Sequence, residues 1–369
     1  MNERAKEALI RFLEERDELD VHGNSLLVFH KDKEIFRHYT GEVNKDTLFR
    51  IFSMTKVVTV TAALQLFELG KFTMEDPVSK FLPEFANMTV WDEEKQEAVP
   101  AKNEMRMRHL FSMSAGITYE GDSCETERQY VKLKEELMKE YPHYTTQQYI
   151  RMLPKAPLAF EPGSHWRYSL CHDVLGAVIE VISGQLLGEY MHDHIFAPLG
   201  MEHTFFRCPA EYRSRMATKM LGDHFSDDMF AEENRYEAGG GGLLSTLDDY
   251  MKLANTLTRG GTSENGVRIL GRKTIDLLRS DQLNEEQKKD FNWDYLNGYS
   301  YGMGVRTNVD PAKSGISGSV GEFGWCGVMG TWVLMDPEEE LTVVYMHQRF
   351  PNLEKYVQTH LRAMIYGAL

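Results

Sequence analysis

The sequence predicts an α/β (α+β) fold in which both chain ends build one sheet-bearing unit and a helix-rich unit is inserted between them. Three observations lead there: strand-type patterning near the N-terminus, helix-type periodicity through the middle, and a return to strand-type patterning from residue 298. The expected division is residues 1–75 with 291–369 for the sheet-bearing unit and 76–290 for the insert. With 42% apolar residues in 369, the chain can bury a sizeable core.

Taken in order, "MNERAKEALIRFLEERDEL" alternates apolar and charged residues at helical spacing. It lacks the uninterrupted apolar stretch of a signal peptide, so a cytoplasmic location is expected. "SLLVFHKDKEIFRHYTG" (25–41) reads as two short strands around a polar turn at Lys31 to Lys33. From Ser53 to about Leu69 the chain is apolar on nearly every side, the pattern of a helix buried all round, with Gly70 as its C-terminal cap. The segments "YVKLKEELMKEY", "YSLCHDVLGAVIEVISG", "LDDYMKLANTLTRG" and "RKTIDLLRSD" repeat apolar residues at three and four, which predicts helices. Within them the charged stretch from Glu120 to Tyr141, and on toward 150, reads either as a solvated helix or as a cap over a cleft. After "GYSYGMGVRT", the run "GWCGVMGTWVLMDPEEELTVVYMHQ" looks like strands joined by a DPEEE turn, and "LEKYVQTHLRAMIYGAL" closes the chain as a helix. The late strands need partners, and the early hairpin can supply them. A ligand is expected in the cleft between the two units.

Composition excludes several functions. A net charge of −15 leaves no basic face for phosphate backbones, so no nucleic-acid partner is expected. Nothing approaches the roughly 18 consecutive apolar residues of a membrane span. Cys124, Cys171, Cys208 and Cys326 are far apart with no CxxC pair, which points to reduced, structural cysteines. His192 and His194, two apart on a helix, would point in different directions and read as a surface pair. No metal and no cofactor is expected, and nothing in the sequence sets an oligomeric state.

The chemistry is concentrated in "IFSMTKVVTV" (51–60), which sets Ser53 three residues before Lys56. On a helix these share one face, so the lysine amine can reach the serine hydroxyl. Serine needs a base, and a lysine serves once burial lowers its pKa; "LFRIF" before and "VVTV" after supply burial. A first-turn position also leaves the Ser53 N–H unpaired and able to hold a developing oxyanion. On these residues alone a second reading stays open, with Ser53 as an N-cap and Lys56 as a side chain that snorkels to water.

Three further segments accompany this one: "EPGSHWRYSLCHDVLG" (161–176), "AGGGGLLSTLDDY" (238–250) and "GWCGVMGTWVLMDP" (324–337). Together with "FSMTK", and with "HLFSMSAGI" and "FAPLGMEHTFF" as connecting segments, they resemble in order the serine β-lactamase and penicillin-binding protein superfamily. The resemblance covers about Leu26 to Gln348. It implies a β-lactamase/DD-peptidase-like fold, with an antiparallel sheet flanked by helices. It further implies that Ser53 is acylated, that Lys56 is its base, and that Tyr168 opens the second motif and carries the serine proton to the leaving group. A tyrosine placed between two cations is expected to ionise more easily than a free one. Trp325, Cys326 and Gly327 match the third motif, and the N–H of Val328 would complete the oxyanion hole with that of Ser53.

Two departures shape the expected substrate. Trp325 stands where cell-wall peptidases and β-lactamases keep a lysine for the substrate carboxylate, and Leu170 stands where they keep an asparagine for the substrate amide. Trp325, Cys326, Gly327 and Leu170 are therefore the expected substrate contacts, and the loss of both polar groups favours a neutral ester over an anionic amide. The pattern resembles family VIII carboxylesterases and implies a serine esterase working through an acyl-enzyme on a small or medium acyl substrate. The rivals are a β-lactamase or D-alanyl-D-alanine peptidase-like amidase, a transesterase, and a non-catalytic ligand-binding descendant. Arg306 would support the amidase if it replaced the missing lysine beside Trp325.

Overall fold

The computed structural model describes residues 1–20, 22–220 and 225–369, the side chains of 17–20 excepted. An N-terminal helix, Glu3–Asp20, leads into a hairpin of β1 (Asn24–His30) and β2 (Lys33–Tyr39). Its two-residue turn holds Lys31 and Asp32 at φ 51° and 62°, the left-handed backbone that a mirror-image hairpin turn needs at both positions. Next comes β3 (Phe49–Arg50), then a central helix, Thr55–Glu68.

The central helix is buried on nearly all sides, from Thr55 through Leu64, and Gly70 at φ 67° follows its end as the sequence predicts. Its start differs from the expectation. Ser53 lies in a separate 3-10 turn, Phe52–Met54, and the α-helix proper begins at Thr55. Phe52 sits at φ 41°, a costly conformation for a bulky residue, and this tight turn presents Ser53 at the helix mouth instead of within the helix.

The middle of the chain folds into helices at Glu125–Glu140, Thr146–Met152, Cys171–Ser183, Leu247–Thr258 and Arg272–Leu278. It also holds strands that helical periodicity did not announce. β4 (Thr89–Asp92) pairs with β5 (Glu97–Pro100), and β6 (Leu244–Ser245) pairs with β3. After these come β7 (Tyr299–Tyr301), β8 (Arg306–Asn308), β9 (Phe323–Cys326), β10 (Trp332–Asp336), β11 (Leu341–His347) and the C-terminal helix Glu354–Tyr366.

The main sheet has seven strands in the order β2-β1-β11-β10-β9-β8-β7, each antiparallel to its neighbours. The two chain ends meet where β1 pairs with β11, from Asn24 opposite His347 to His30 opposite Leu341. Alternate side chains go to opposite faces. Leu26, Val28, Leu334 and Val343 pack with Leu9, Leu13, Val357 and Leu361 of the terminal helices. Leu27, Val333, Met335 and Val344 join a larger core that continues through the central helix into the helix-rich middle. Ser53 lies where that second face, the central helix and the end of β9 come together.

Candidate active site

Lys56 is fully buried on the central helix, and its Nζ has three acceptors within reach. It donates to Ser53 Oγ at 3.1 Å, to the Tyr119 hydroxyl at 3.0 Å and to the Gly240 carbonyl at 2.5 Å. Burial disfavours the ammonium and lowers its pKa to about 8, against a smaller upward pull from Asp173 and the thiols of Cys326 and Cys171. The snorkelling reading of Lys56 is therefore set aside, since the amine ends inside the protein. Ser53 does not cap the helix either, because no side-chain cap bond is made at that turn.

Tyr168 enters from the turn before the helix Cys171–Ser183. Its ring lies over Lys56 with the ammonium 4.5 Å from the ring centre, and its hydroxyl accepts a 2.9 Å hydrogen bond from Trp325 Nε1–H. The expectation of easy ionisation is corrected. Burial raises the Tyr168 phenol well above the usual tyrosine range, and hydrogen bonds with Ser53 and Trp325 offset this only in part. Among the described residues one cation, Lys56, lies over the ring, and Trp325 stands where the second was expected.

The end of β9 is fastened to the chain just before Ser53. Thr331 Oγ1 donates to the Ile51 carbonyl at 3.2 Å, and the Gly327 N–H donates to the Thr331 carbonyl at 2.7 Å. A Cβ on Gly327 would stand 2.6 Å from the Ile51 oxygen, so only glycine permits this approach. Among the described residues, no acceptor is bonded to the N–H of Ser53 or of Val328, which leaves both free for a substrate oxygen.

The structure brings together Ser53, Lys56, Tyr168, Trp325, Gly327 and Val328, but it turns one expected substrate contact away. Cys326 points to the opposite face of the sheet, where its thiol lies 3.0 Å from Glu354 Oε1, because neighbours on a strand alternate. Leu170 is buried in the large core at the N-terminal end of the helix Cys171–Ser183, as Trp325 is at the end of β9. Arg306 is also resolved. It pairs with Gly324 across β8 and β9, but its guanidinium lies on the far face, bonded to Glu354 at 3.2 Å and to Gln358. It therefore does not replace the missing lysine.

Three participants escape sequence reasoning. Tyr119 lies two residues past "HLFSMSAGI" in a loop with no periodicity, and its ring is 5.8 Å from that of Tyr168. Gly240, in the glycine run, supplies the backbone acceptor for Lys56. Asp173 lies on the first turn of the helix that follows Tyr168 and accepts a 2.6 Å bond from the Tyr236 hydroxyl. Burial raises the Asp173 pKa, and Tyr236 and Lys56 pull it back down. The charged segment is tied in behind these residues. Glu120 accepts from Lys134 at 2.6 Å and from the Tyr149 hydroxyl, and the Tyr149 ring lies 5.0 Å from that of Tyr236. The cysteines are all free thiols, and no group of three or more metal-ligating side chains occurs among the described residues.

With this geometry in view, the Beta-lactamase family model matches residues 9–366. The chain belongs to the Beta-lactamase family. Protein Rv1367c of Mycobacterium tuberculosis is 32% identical to this family member over 327 residues, covering 84% of this chain and 80% of that protein. Esterase EstB of Burkholderia gladioli is 27% identical over 352 residues, covering 88% and 83%. Among solved structures, EstCE1, described as a hydrolase with promiscuous acyltransferase activity, superposes with a TM-score of 0.81 at 24% identity, covering 99% of both chains. This family member therefore has the fold of the serine β-lactamases and penicillin-binding proteins, and its relatives include serine hydrolases.

Proposed function

We propose that this Beta-lactamase family member is a serine esterase that cleaves neutral carboxylic esters of small or medium acyl groups through an acyl-enzyme. The observation that carries this reading is the contact of a buried Lys56 amine with Ser53 Oγ at 3.1 Å, beneath a Tyr168 hydroxyl that Trp325 holds. Among the described residues Trp325, not a cation, stands at this end of β9, which turns the reading from anionic amides toward neutral esters. The name of the EstB relative supports the same direction.

The proton balance follows from the two side chains. With its pKa at about 8, roughly a tenth of Lys56 is neutral at pH 7 and free to take the Ser53 proton as Oγ attacks the ester carbonyl. The N–H groups of Ser53 and Val328 hold the oxyanion. Trp325 already donates to the Tyr168 oxygen, so the phenol O–H is the donor left for the departing alkoxide. Lys56 ammonium then returns a proton to Tyr168. Water enters by the same steps in reverse and releases the acid.

The test is hydrolysis of a short-chain p-nitrophenyl ester and of a chromogenic cephalosporin by the wild type and by Ser53→Ala. Ester turnover that is lost in Ser53→Ala, with little cephalosporin turnover, is expected. Cephalosporin turnover that exceeds ester turnover would move the amidase to the front. No Ser53-dependent turnover of either would move a ligand-binding role there.

A further inference from the structure

Around Tyr168 the protein gathers more aromatic surface than the acyl transfer requires. Trp166, Tyr301 and Trp325 are buried, while Trp293 and Tyr295 remain partly exposed beside them. The Trp293 ring centre lies 5.6 Å from that of Tyr168 and 5.6 Å from that of Trp166, with the planes at 77° and 78°. Trp325 lies 6.4 Å from Trp293, and Tyr295 extends the row at 6.1 Å. The contacts of Trp293 with Tyr168 and Trp166 are edge-to-face, an arrangement aromatic pairs favour, while those with Trp325 and Tyr295 are tilted.

Position and charge narrow what that ring belongs to. Tyr168 is the proposed donor to the leaving oxygen, so the first atoms of the departing alcohol lie beside its ring, and two partly exposed rings pack on it, Tyr119 on the Lys56 side and Trp293. Arg167, His165 and Arg306 beside this wall have partners, and Asp294, between Trp293 and Tyr295, is exposed. Arg167 bonds Glu127 at 2.6 Å, the His165 ring meets Asp290 at 3.0 Å, and Arg306, which lines one pocket with Tyr295, is paired with Glu354 at 3.2 Å. Trp293 and Tyr295 lie between the helix Glu285–Asp290 and β7, Trp293 just before and Tyr295 within the short 3-10 turn Asp294–Leu296. An indole left partly open at that place is a surface for a guest.

We infer that Trp293 sets the substrate class of this site: esters whose alcohol portion carries a flat, uncharged aromatic group, held edge-to-face by Trp293 and Tyr295. The inference rests on the esterase reading above. Benzyl acetate and cyclohexylmethyl acetate test it, because they match in size and polarity and differ in having a flat ring. Acetate release is followed by pH-stat, and the ratio of kcat/KM for the two esters is normalised to their hydroxide-catalysed rates. The wild type is expected to favour the benzyl ester about 3- to 10-fold, the range of one aromatic pair. Trp293→Leu is expected to bring the ratio to about one, and Trp293→Phe to retain most of it, with thermal unfolding confirming that each variant folds. A wild-type ratio near one, or a ratio unmoved by Trp293→Leu, overturns the inference while Ser53-dependent turnover leaves the esterase reading standing. Absence of Ser53-dependent turnover of any acetate overturns both.

Discussion

Lys56 shows how one residue acquires a function from its surroundings. A lysine in water would be almost wholly protonated at neutral pH; here burial lowers its pKa to about 8, and three acceptors hold its nitrogen in place. Because the neutral amine is the proposed base, kcat/KM for a neutral ester should rise tenfold per pH unit below about 8 and level off above it. A pH–rate profile in the absence of substrate ionisation checks this, and a limb near 10 would mean that another group is the base. Lys56→Met should lower kcat/KM by about 10²- to 10⁴-fold, with the circular dichroism spectrum unchanged. The Ser53–Lys56 pair was legible because its spacing is local, and Tyr168 entered through the family resemblance. Tyr119 and Asp173 were not, since what qualifies them is proximity to Lys56 and Tyr236 across the fold.

At the scale of elements, β9 positions the site by approaching the chain before Ser53 more closely than any side chain allows. Gly327→Ala would force its Cβ against the Ile51 carbonyl and the Thr331 hydroxyl, moving the Val328 N–H away from Ser53. Loss of one oxyanion donor costs about 10²- to 10³-fold in kcat, so a drop of that size, with KM little changed, is the expected result. Steady-state kinetics with a p-nitrophenyl ester checks it, and an unchanged kcat would remove Val328 from the oxyanion hole. The same strand exposes a misreading that its own periodicity could have prevented. Trp325 and Cys326 are adjacent on a strand and so cannot both face a substrate; Cys326 meets Glu354 on the other side. The long helices were legible because their apolar repeats run for several turns. β3 and β6 have two residues each, too few to show any period.

For the whole molecule, the antiparallel register of β1 on β11 makes the fold depend on both chain ends. A buried ion pair reinforces this closure. Arg362 of the C-terminal helix bonds both carboxylate oxygens of Glu322, and the two side chains are 3% and 1% exposed. Arg362→Met would strand the Glu322 carboxylate in the interior, and a loss of about 3–5 kcal/mol in urea unfolding is expected. Ester turnover per folded molecule should be nearly unaltered, because the pair lies on the sheet face away from Ser53. The sequence by itself determined the sheet-and-helix composition, the early hairpin, the buried central helix and the Ser53–Lys56 spacing, because each follows from local periodicity or turn chemistry. Tertiary structure alone decided that Arg306 is neutralised on the far face, that Leu170 is sealed in the core, and that Trp325 holds Tyr168. Those outcomes depend on which strand face meets which helix, and contacts between residues far apart in sequence settle that.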